Sequence, residues 1–511
     1  MSEGRTVNTF RNSSIALVYY VVSLLLNFVS RKVFLDKLGS EILGLNTTAN
    51  NLLAFLNLAE LGIGFAISFA LYAPIAKGDK KAINEIVSLQ GALYKRIAIL
   101  IIGGAVILSL FFSLIFAKME LPLWYAYASF GVLLYSALLS YFINYRQIIL
   151  TASQQDYKIT LSYKACLLIK ILFQIFVLSY FPHPYIWWLV TEFLFTTIAS
   201  LWLNIIIKKT HPYLAKSKEN FRELRRRYPV IVTKVKQLFF HKIAAFAVTQ
   251  TSSLIIYGFL SLTVVTLYGN YIILTSGVIL LLNSVFNGVS ASVGNLIATG
   301  DRKRILDVFE ELFCFRFFLS SLLSICIYFF ASDFIILWIG QEYVLPQSTV
   351  LLISLSMYLT ISRGVVDTFL NGYGLFKDIW APVVEAIINI AASIIGGAIW
   401  GLDGILGGAI LSMIVIIFLW KPYFLFSQGI KYPIRCYVSL YARCLVAGAI
   451  MTLIALAIKR IIPINPSSSV IDFITVCGVV TVGISLAGYL TEYVMCRGMR
   501  QLTKRIFSFL H

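Results

Sequence analysis

The sequence predicts an all-α membrane protein of about fourteen transmembrane helices, arranged as two six-helix lobes around a central cavity with two further helices at the C-terminal end. Three observations predict it: apolar stretches long enough to cross a bilayer recur along the whole chain, basic residues alternate from one side to the other between them, and a segment of the first half returns in the second.

The apolar signal comes first. The chain is 59% hydrophobic and 13% charged over 511 residues, with a mean hydropathy of +0.86. Soluble domains are about 45–50% apolar and about 25% charged, so a soluble globular protein is excluded. Hydropathy places spans near 12–34, 42–75, 97–117, 122–149, 162–181, 185–207, 243–266, 268–298, 312–331, 347–370, 381–400, 404–427, 440–460 and 470–495. The first apolar segment, Asn12 to Ser30, has no small-residue cleavage site and is followed at once by another span, so it is expected to remain as a helix.

The net charge of +19 reports topology rather than nucleic acid. With an even number of spans both termini share a side, and that side receives 36 of the 42 Lys and Arg residues. The other side holds only Arg31, Lys32, Lys37, Lys118, Lys459 and Arg460. The positive-inside rule then makes both termini cytoplasmic. One missed span would scramble this alternation downstream.

The repeat is short but well placed. Gly78-Asp79-Lys80-Lys81-Ala82-Ile83 follows the second span, and Gly300-Asp301-Arg302-Lys303-Arg304-Ile305 follows the eighth, 222 residues later. Both sit in basic loops between a long polar-dotted span and an apolar hairpin, which makes the repeat parallel. The expected organisation is an N-lobe over 1–207, a basic cytoplasmic linker over 208–242, a C-lobe over 243–427, and two additional helices with a cytoplasmic tail over 428–511. The linker carries Lys216-Ser217-Lys218 and Arg222-Glu223-Leu224-Arg225-Arg226-Arg227. It reads either as an interfacial helix on anionic lipid or as a solvated charge run that enforces topology.

Polar residues at membrane depth are the candidates for function. In the second span Asn46, Asn50, Asn57, Glu60 and Gly64 fall within about an 80° arc at 100° per residue. Ser276, Asn283, Asn287, Ser290 and Gly294 do the same in the eighth. Such stripes either line a wet cavity or bond neighbouring helices. Repeat-equivalent stripes in both lobes favour the cavity. Ser356, Arg363 and Asp367 cluster on the tenth span, the last two at i,i+4 spacing that suits an ion pair. Glu385 and Asn389 repeat that spacing on the eleventh, and Glu192 lies within the sixth. A guanidinium can fork onto phosphate oxygens, so Arg363 is either a phosphate contact or half of a structural ion pair.

No metal or cofactor site is expected. The histidines His183, His211, His241 and His511 are scattered, and the seven cysteines include no CxxC pair and read as reduced packing residues.

Several motifs resemble a known family. Leu38-Gly39-Ser40-Glu41-Ile42-Leu43-Gly44-Leu45 and Leu58-Ala59-Glu60-Leu61-Gly62-Ile63-Gly64 look like the first hairpin of polysaccharide-type flippases of the multidrug/oligosaccharidyl-lipid/polysaccharide (MOP) exporter superfamily. Asn371-Gly372-Tyr373-Gly374-Leu375-Phe376-Lys377, Pro382-Val383-Val384-Glu385-Ala386-Ile387-Ile388-Asn389 and Gly401-Leu402-Asp403-Gly404-Ile405 are similar to its tenth to twelfth spans. The resemblance implies outward movement of undecaprenyl-diphosphate-linked oligosaccharide repeat units across the bacterial cytoplasmic membrane, for O-antigen, capsule or exopolysaccharide assembly. It implies a cavity lined by spans one, two, seven and eight, and points to a polysaccharide polymerase and chain-length machinery as protein partners. Where relatives often carry an acidic residue early in span seven, this chain has Thr251-Ser252-Ser253.

The substrate-cavity residues expected on these grounds are Asn46, Asn50, Asn57, Glu60, Asn283, Asn287, Arg363, Asp367, Glu385 and Asn389. A proton or Na⁺ gradient acting on Glu60, Glu192, Asp367 or Glu385 is the candidate driving force. A cation-coupled drug or metabolite exporter of the same superfamily is the alternative. A membrane polysaccharide polymerase or ligase is a third reading, against which the short external loops argue.

Overall fold

The computed structural model describes residues 2–60, 63–229, 231, 251–375, 378 and 380–510, and all regular structure among them is helical. Eleven of these helices are long and apolar enough to cross a membrane. Two run through a kink that divides each into two of the expected spans, and expected span seven lies partly outside the described residues. The chain forms two compact helical units, Met1–Thr266 and Leu267–His511.

In the first unit α1 (Ser2–Leu56) turns at Gly39, where φ is 81° and ψ 173°. A side chain is costly in that region, so glycine lets the first two spans join without a loop. A 3-10 turn, Asn57–Glu60, interrupts the second span before α2 (Ile63–Lys77) continues it. The unit then runs through α3 (Lys80–Leu110), α4 (Trp124–Phe142), α5 (Asp156–Tyr180) and α6 (Pro184–Thr210). Its core is aliphatic, built on Ile67, Leu71, Leu89, Ile101 and Leu203, each fully buried.

The linker segment is partly resolved into structure. A capping box between Asn220 and Glu223 starts the short helix α7 (Phe221–Arg227). The guanidinium of Arg227 meets Glu85 at 2.7 Å, the Tyr228 hydroxyl donates to the same carboxylate at 2.8 Å, and Arg96 stacks 3.5 Å from the Phe221 ring centroid. This stretch is therefore docked on α3, while Arg222, Arg225 and Arg226 remain exposed. Burial, and then the bond to Glu85, raise the pKa of the Tyr228 phenol. Residues 232–242 lie outside the described residues.

The second unit is built on α8 (Leu262–Ala298), whose first turn belongs to the first unit, then α9 (Arg302–Ile339), α10 (Gln347–Gly372), α11 (Trp380–Ile430), α12 (Ile434–Ile461), α13 (Val470–Met495) and the tail helix α14 (Arg497–Leu510). Gly401, at φ 57° and ψ −130°, divides α11 as Gly39 divides α1. The core here is aromatic: Phe309, Phe313, Phe317, Phe369, Phe426 and Tyr437 pack together. The large exposed side chains, including Leu110, Leu114, Trp400 and Ile461 at 69–78% exposure, form surfaces that only lipid would cover at low cost.

Several boundaries differ from the sequence reading. The break between spans seven and eight falls at residues 260–261, because α8 already begins at Leu262 rather than near 268. The basic turns read as loops are shorter, since α3 and α9 start at Lys80 and Arg302. Asp79 and Asp301 explain this: each caps its helix, accepting from the amide three residues on at 3.0 and 3.1 Å. Gly78 and Gly300 precede them at φ 70° and 74°, so the repeated hexapeptide is one local structure used twice.

Candidate functional site

Two polar clusters lie among the long apolar helices, one in each unit. In the first unit the 3-10 turn carries Asn57 and Glu60. The Glu60 carboxylate accepts from the Tyr94 hydroxyl of α3 at 2.7 Å and from the Tyr141 hydroxyl of α4 at 2.9 Å. Asn57 Oδ1 accepts from Tyr141 at 3.0 Å. Both tyrosines are buried, and their rings meet edge-on with centroids 5.4 Å apart. Two hydroxyl donors thus hold one carboxylate across three helices, an arrangement that offsets part of the cost of placing it there.

In the second unit Arg363 Nε donates to Asp367 Oδ2 at 2.8 Å, and Lys421 of α11 reaches Asp367 Oδ1 at 3.4 Å. Two cations therefore face one carboxylate, with the buried Glu385 as a further electrostatic neighbour of both. Arg363 and Asp367 keep 27% and 29% of their side-chain surface exposed. Close by, Arg316 of α9 is buried, donates from Nε to the Ile361 carbonyl at 2.6 Å and from a terminal nitrogen to Asn283 Oδ1 at 3.0 Å, and stacks on Phe286 at 4.5 Å.

Not every expected cavity residue joins these clusters. Asn46 is buried and accepts from Ser129 of α4 at 2.7 Å, so its side chain is engaged between helices. Asn50 is exposed and donates to the Asn46 carbonyl. Asn389 is fully buried and donates to Ser412 at 3.5 Å. The Asn287 side chain lies outside the described residues. Glu192 is tied to Lys170 at 2.8 Å and to Gln174 at 3.1 Å. Lys170 of α5, counted from the sequence with the loop cations, is thus an interhelical partner of Glu192 on α6.

Sequence reasoning missed Tyr94, Tyr141, Arg316 and Lys421. The repeat offset would have led from Arg363 to Tyr141, and it pairs two of the others with each other. Tyr94 and Arg316 are 222 residues apart, as are Tyr141 and Arg363. At corresponding positions the first unit has two phenols around a carboxylate, and the second has two guanidinium groups.

No protein-family model matches the chain. A Yersinia pseudotuberculosis protein described provisionally as an O-antigen export protein is 26% identical over 149 residues, which are 28% of this chain. The match spans 34% of that relative, so only about a third of its length is covered. Among solved structures, the lipid II flippase MurJ in an inward closed conformation superposes with a TM-score of 0.64 at 14% identity, over 94% of this chain and 98% of that one. An inward-facing MATE multidrug transporter gives 0.58 at 15% identity, over 80% and 95%. The chain therefore shares its helical fold with the lipid II flippase MurJ and with a MATE transporter of the MOP superfamily.

Proposed function

We propose that this chain translocates lipid-linked oligosaccharide outward across the bacterial cytoplasmic membrane by alternating access of its two lobes, for surface polysaccharide assembly. The observation that carries the reading is the partly exposed Arg363–Asp367–Lys421 cluster inside apolar helices. Together with Arg316, whose charge also acts on Asp367, it sets three cations against the two carboxylates Asp367 and Glu385, and a diphosphate linkage supplies further negative charge. The O-antigen export relative and the MurJ likeness support a substrate with a sugar head and a polyprenyl tail. In this reading the head group crosses along a polar path while the tail stays in lipid, and no bond is broken. Both termini are cytoplasmic, with the linker on that side, and carboxylates such as Glu60 couple an ion gradient to lobe position.

The MATE likeness favours a second reading, a cation-coupled drug or metabolite exporter. Deletion of the gene separates the two. Loss of surface polymer with lipid-linked oligosaccharide retained on the cytoplasmic face is expected for the flippase. Normal surface polymer with raised dye sensitivity would assign the chain to the exporters.

A further inference from the structure

The second unit contains a cluster that the transport reading does not use. Cys314 of α9, Cys444 of α12 and Cys496, which joins α13 to α14, come together with their sulphurs all within 4.8 Å of one another. All three residues are completely buried. Cys444 and Cys496 are 3.9 Å apart at sulphur. They are separated by 130 and 52 residues in sequence, which is why no ligand spacing betrays them.

Buried cysteines alone often act as small apolar residues. Glu492 makes that account insufficient. It stands one turn before Cys496 in the last turn of α13, is completely buried, and neither carboxylate oxygen has a hydrogen-bond partner among the described residues. Its electrostatic neighbours are the same three cysteines. Ionised, such a carboxylate costs several kcal/mol, and even protonated it leaves both oxygens without a hydrogen-bond partner among the described residues, beside three thiols. A cation among them offsets that cost.

We propose that Cys314, Cys444 and Cys496, with Glu492 beside them, form a binding site for one thiophilic d10 cation of the Zn²⁺ class. Three thiol protons leave to solvent as three metal–sulphur bonds form, and no electrons are transferred. Metal–sulphur bonds of about 2.3 Å in a tetrahedron put sulphurs about 3.8 Å apart, and the Cys444–Cys496 separation of 3.9 Å already matches. Three thiolates, one carboxylate and a dication leave two negative charges, and Arg443 and Arg500 both neighbour Cys496. The ion is structural: it fastens the amphipathic tail helix α14 to α9 and α12. The same junction is already tight, because a Cβ at Gly498 would strike the Glu310 carbonyl and Arg497 pairs with Asp307 at 3.3 Å.

The test uses the full chain in detergent, purified with a phosphine reductant, equilibrated with Zn²⁺ and measured for bound metal. About one equivalent is expected to be retained, with binding lost in C444S and C496S and weakened roughly 10–100-fold in E492Q. Because serine variants can misfold, the wild type is also loaded with Cd²⁺, for which sulphur-to-metal charge-transfer absorption is expected. Chelation should speed tryptic cleavage at the exposed Arg500, Lys504 and Arg505. Wild-type protein that binds no more metal than a triple serine variant overturns the proposal, as does Cd²⁺ loading without the charge-transfer band. Recovery of a Cys444–Cys496 disulfide from reducing cells also overturns it.

Discussion

Tyr141 and Arg363 stand at the same place in the two halves of the chain, 222 residues apart, and each reaches a carboxylate on a helix, Glu60 at 2.9 Å and Asp367 at 2.8 Å. Tyr94 and Arg316 share the same offset one helix earlier, each fourteen residues after the first residue of its helix, Tyr94 donating to Glu60 and Arg316 to the Ile361 carbonyl and Asn283. The backbone plan is thus conserved within the molecule while the charge is reversed. Neutral donors surround an acid in one unit, and guanidinium groups concentrate in the other.

Arg363→Ala is expected to abolish surface polymer while membrane insertion remains intact, and Arg363→Lys is expected to retain part of it, because lysine keeps the charge but loses the fork. Lys421 continues to face Asp367 in both variants, so the carboxylate is not left alone. If the pair is only structural, combining Arg363→Ala with Asp367→Asn should restore export. Persistent loss in the double variant assigns Arg363 to the substrate.

Tyr141→Phe removes a hydroxyl whose one proton is shared between Glu60 and Asn57 Oδ1, whereas Tyr94→Phe removes a donor to Glu60 alone. Hydrogen bonds to charged groups contribute about 1.5–3 kcal/mol. Each variant should lower thermal stability by that order, Tyr141→Phe by more. The two losses should fail to add, since both act on one carboxylate. Adding Glu60→Gln to either background should recover part of the loss. Melting of these purified single and double variants in one detergent checks the ordering.

Gly364 is expected to tolerate no side chain while Arg316 is present. A Cβ there would overlap the Arg316 guanidinium, which two hydrogen bonds hold in place. Gly364→Ala should cost about 1–3 kcal/mol and lose most of that cost in an Arg316→Ala background. Equal losses in both backgrounds would place the strain in the helix backbone instead.

What was legible in the sequence follows from the range of the forces involved. Hydropathy and the sidedness of basic residues are properties of single segments, so the spans and the Gly78/Gly300 repeat could be read directly. Glu60, Arg363 and Asp367 were legible as charges in apolar spans. Their partners were not: a tyrosine such as Tyr94 or Tyr141 is unremarkable in a membrane helix until the fold brings it to a carboxylate. Asn46 shows a different limit, since helical periodicity gives a direction but not what occupies it, and Ser129 of another helix donates to its side chain. Boundaries moved where capping by Asp79 and Asp301 extends helices into sequence too polar for a hydropathy window. The Cys314, Cys444 and Cys496 cluster depends wholly on tertiary packing.

The hairpin within α11 gives the last expectation. Gly396 and Gly404 face each other so closely that a Cβ on either would enter the backbone of the other, and Gly408 meets the backbone of Ala392 and Ser393 in the same way. Small residues at i,i+4 spacing let helix backbones approach in a bilayer, where packing rather than hydrophobic burial drives association. Gly401, at positive φ, makes the turn that brings them together. Gly404→Val should therefore destabilise by about 1–3 kcal/mol or more and separate the two halves of the hairpin. Gly407→Ala serves as the control, because nothing lies within 4 Å of a Cβ at that position. Cysteine pairs introduced across Gly396 and Gly404 neighbours should crosslink in the wild-type and Gly407→Ala backgrounds and fail to do so beside Gly404→Val. Equal crosslinking in all three would show that the glycines are replaceable and that another contact closes the hairpin.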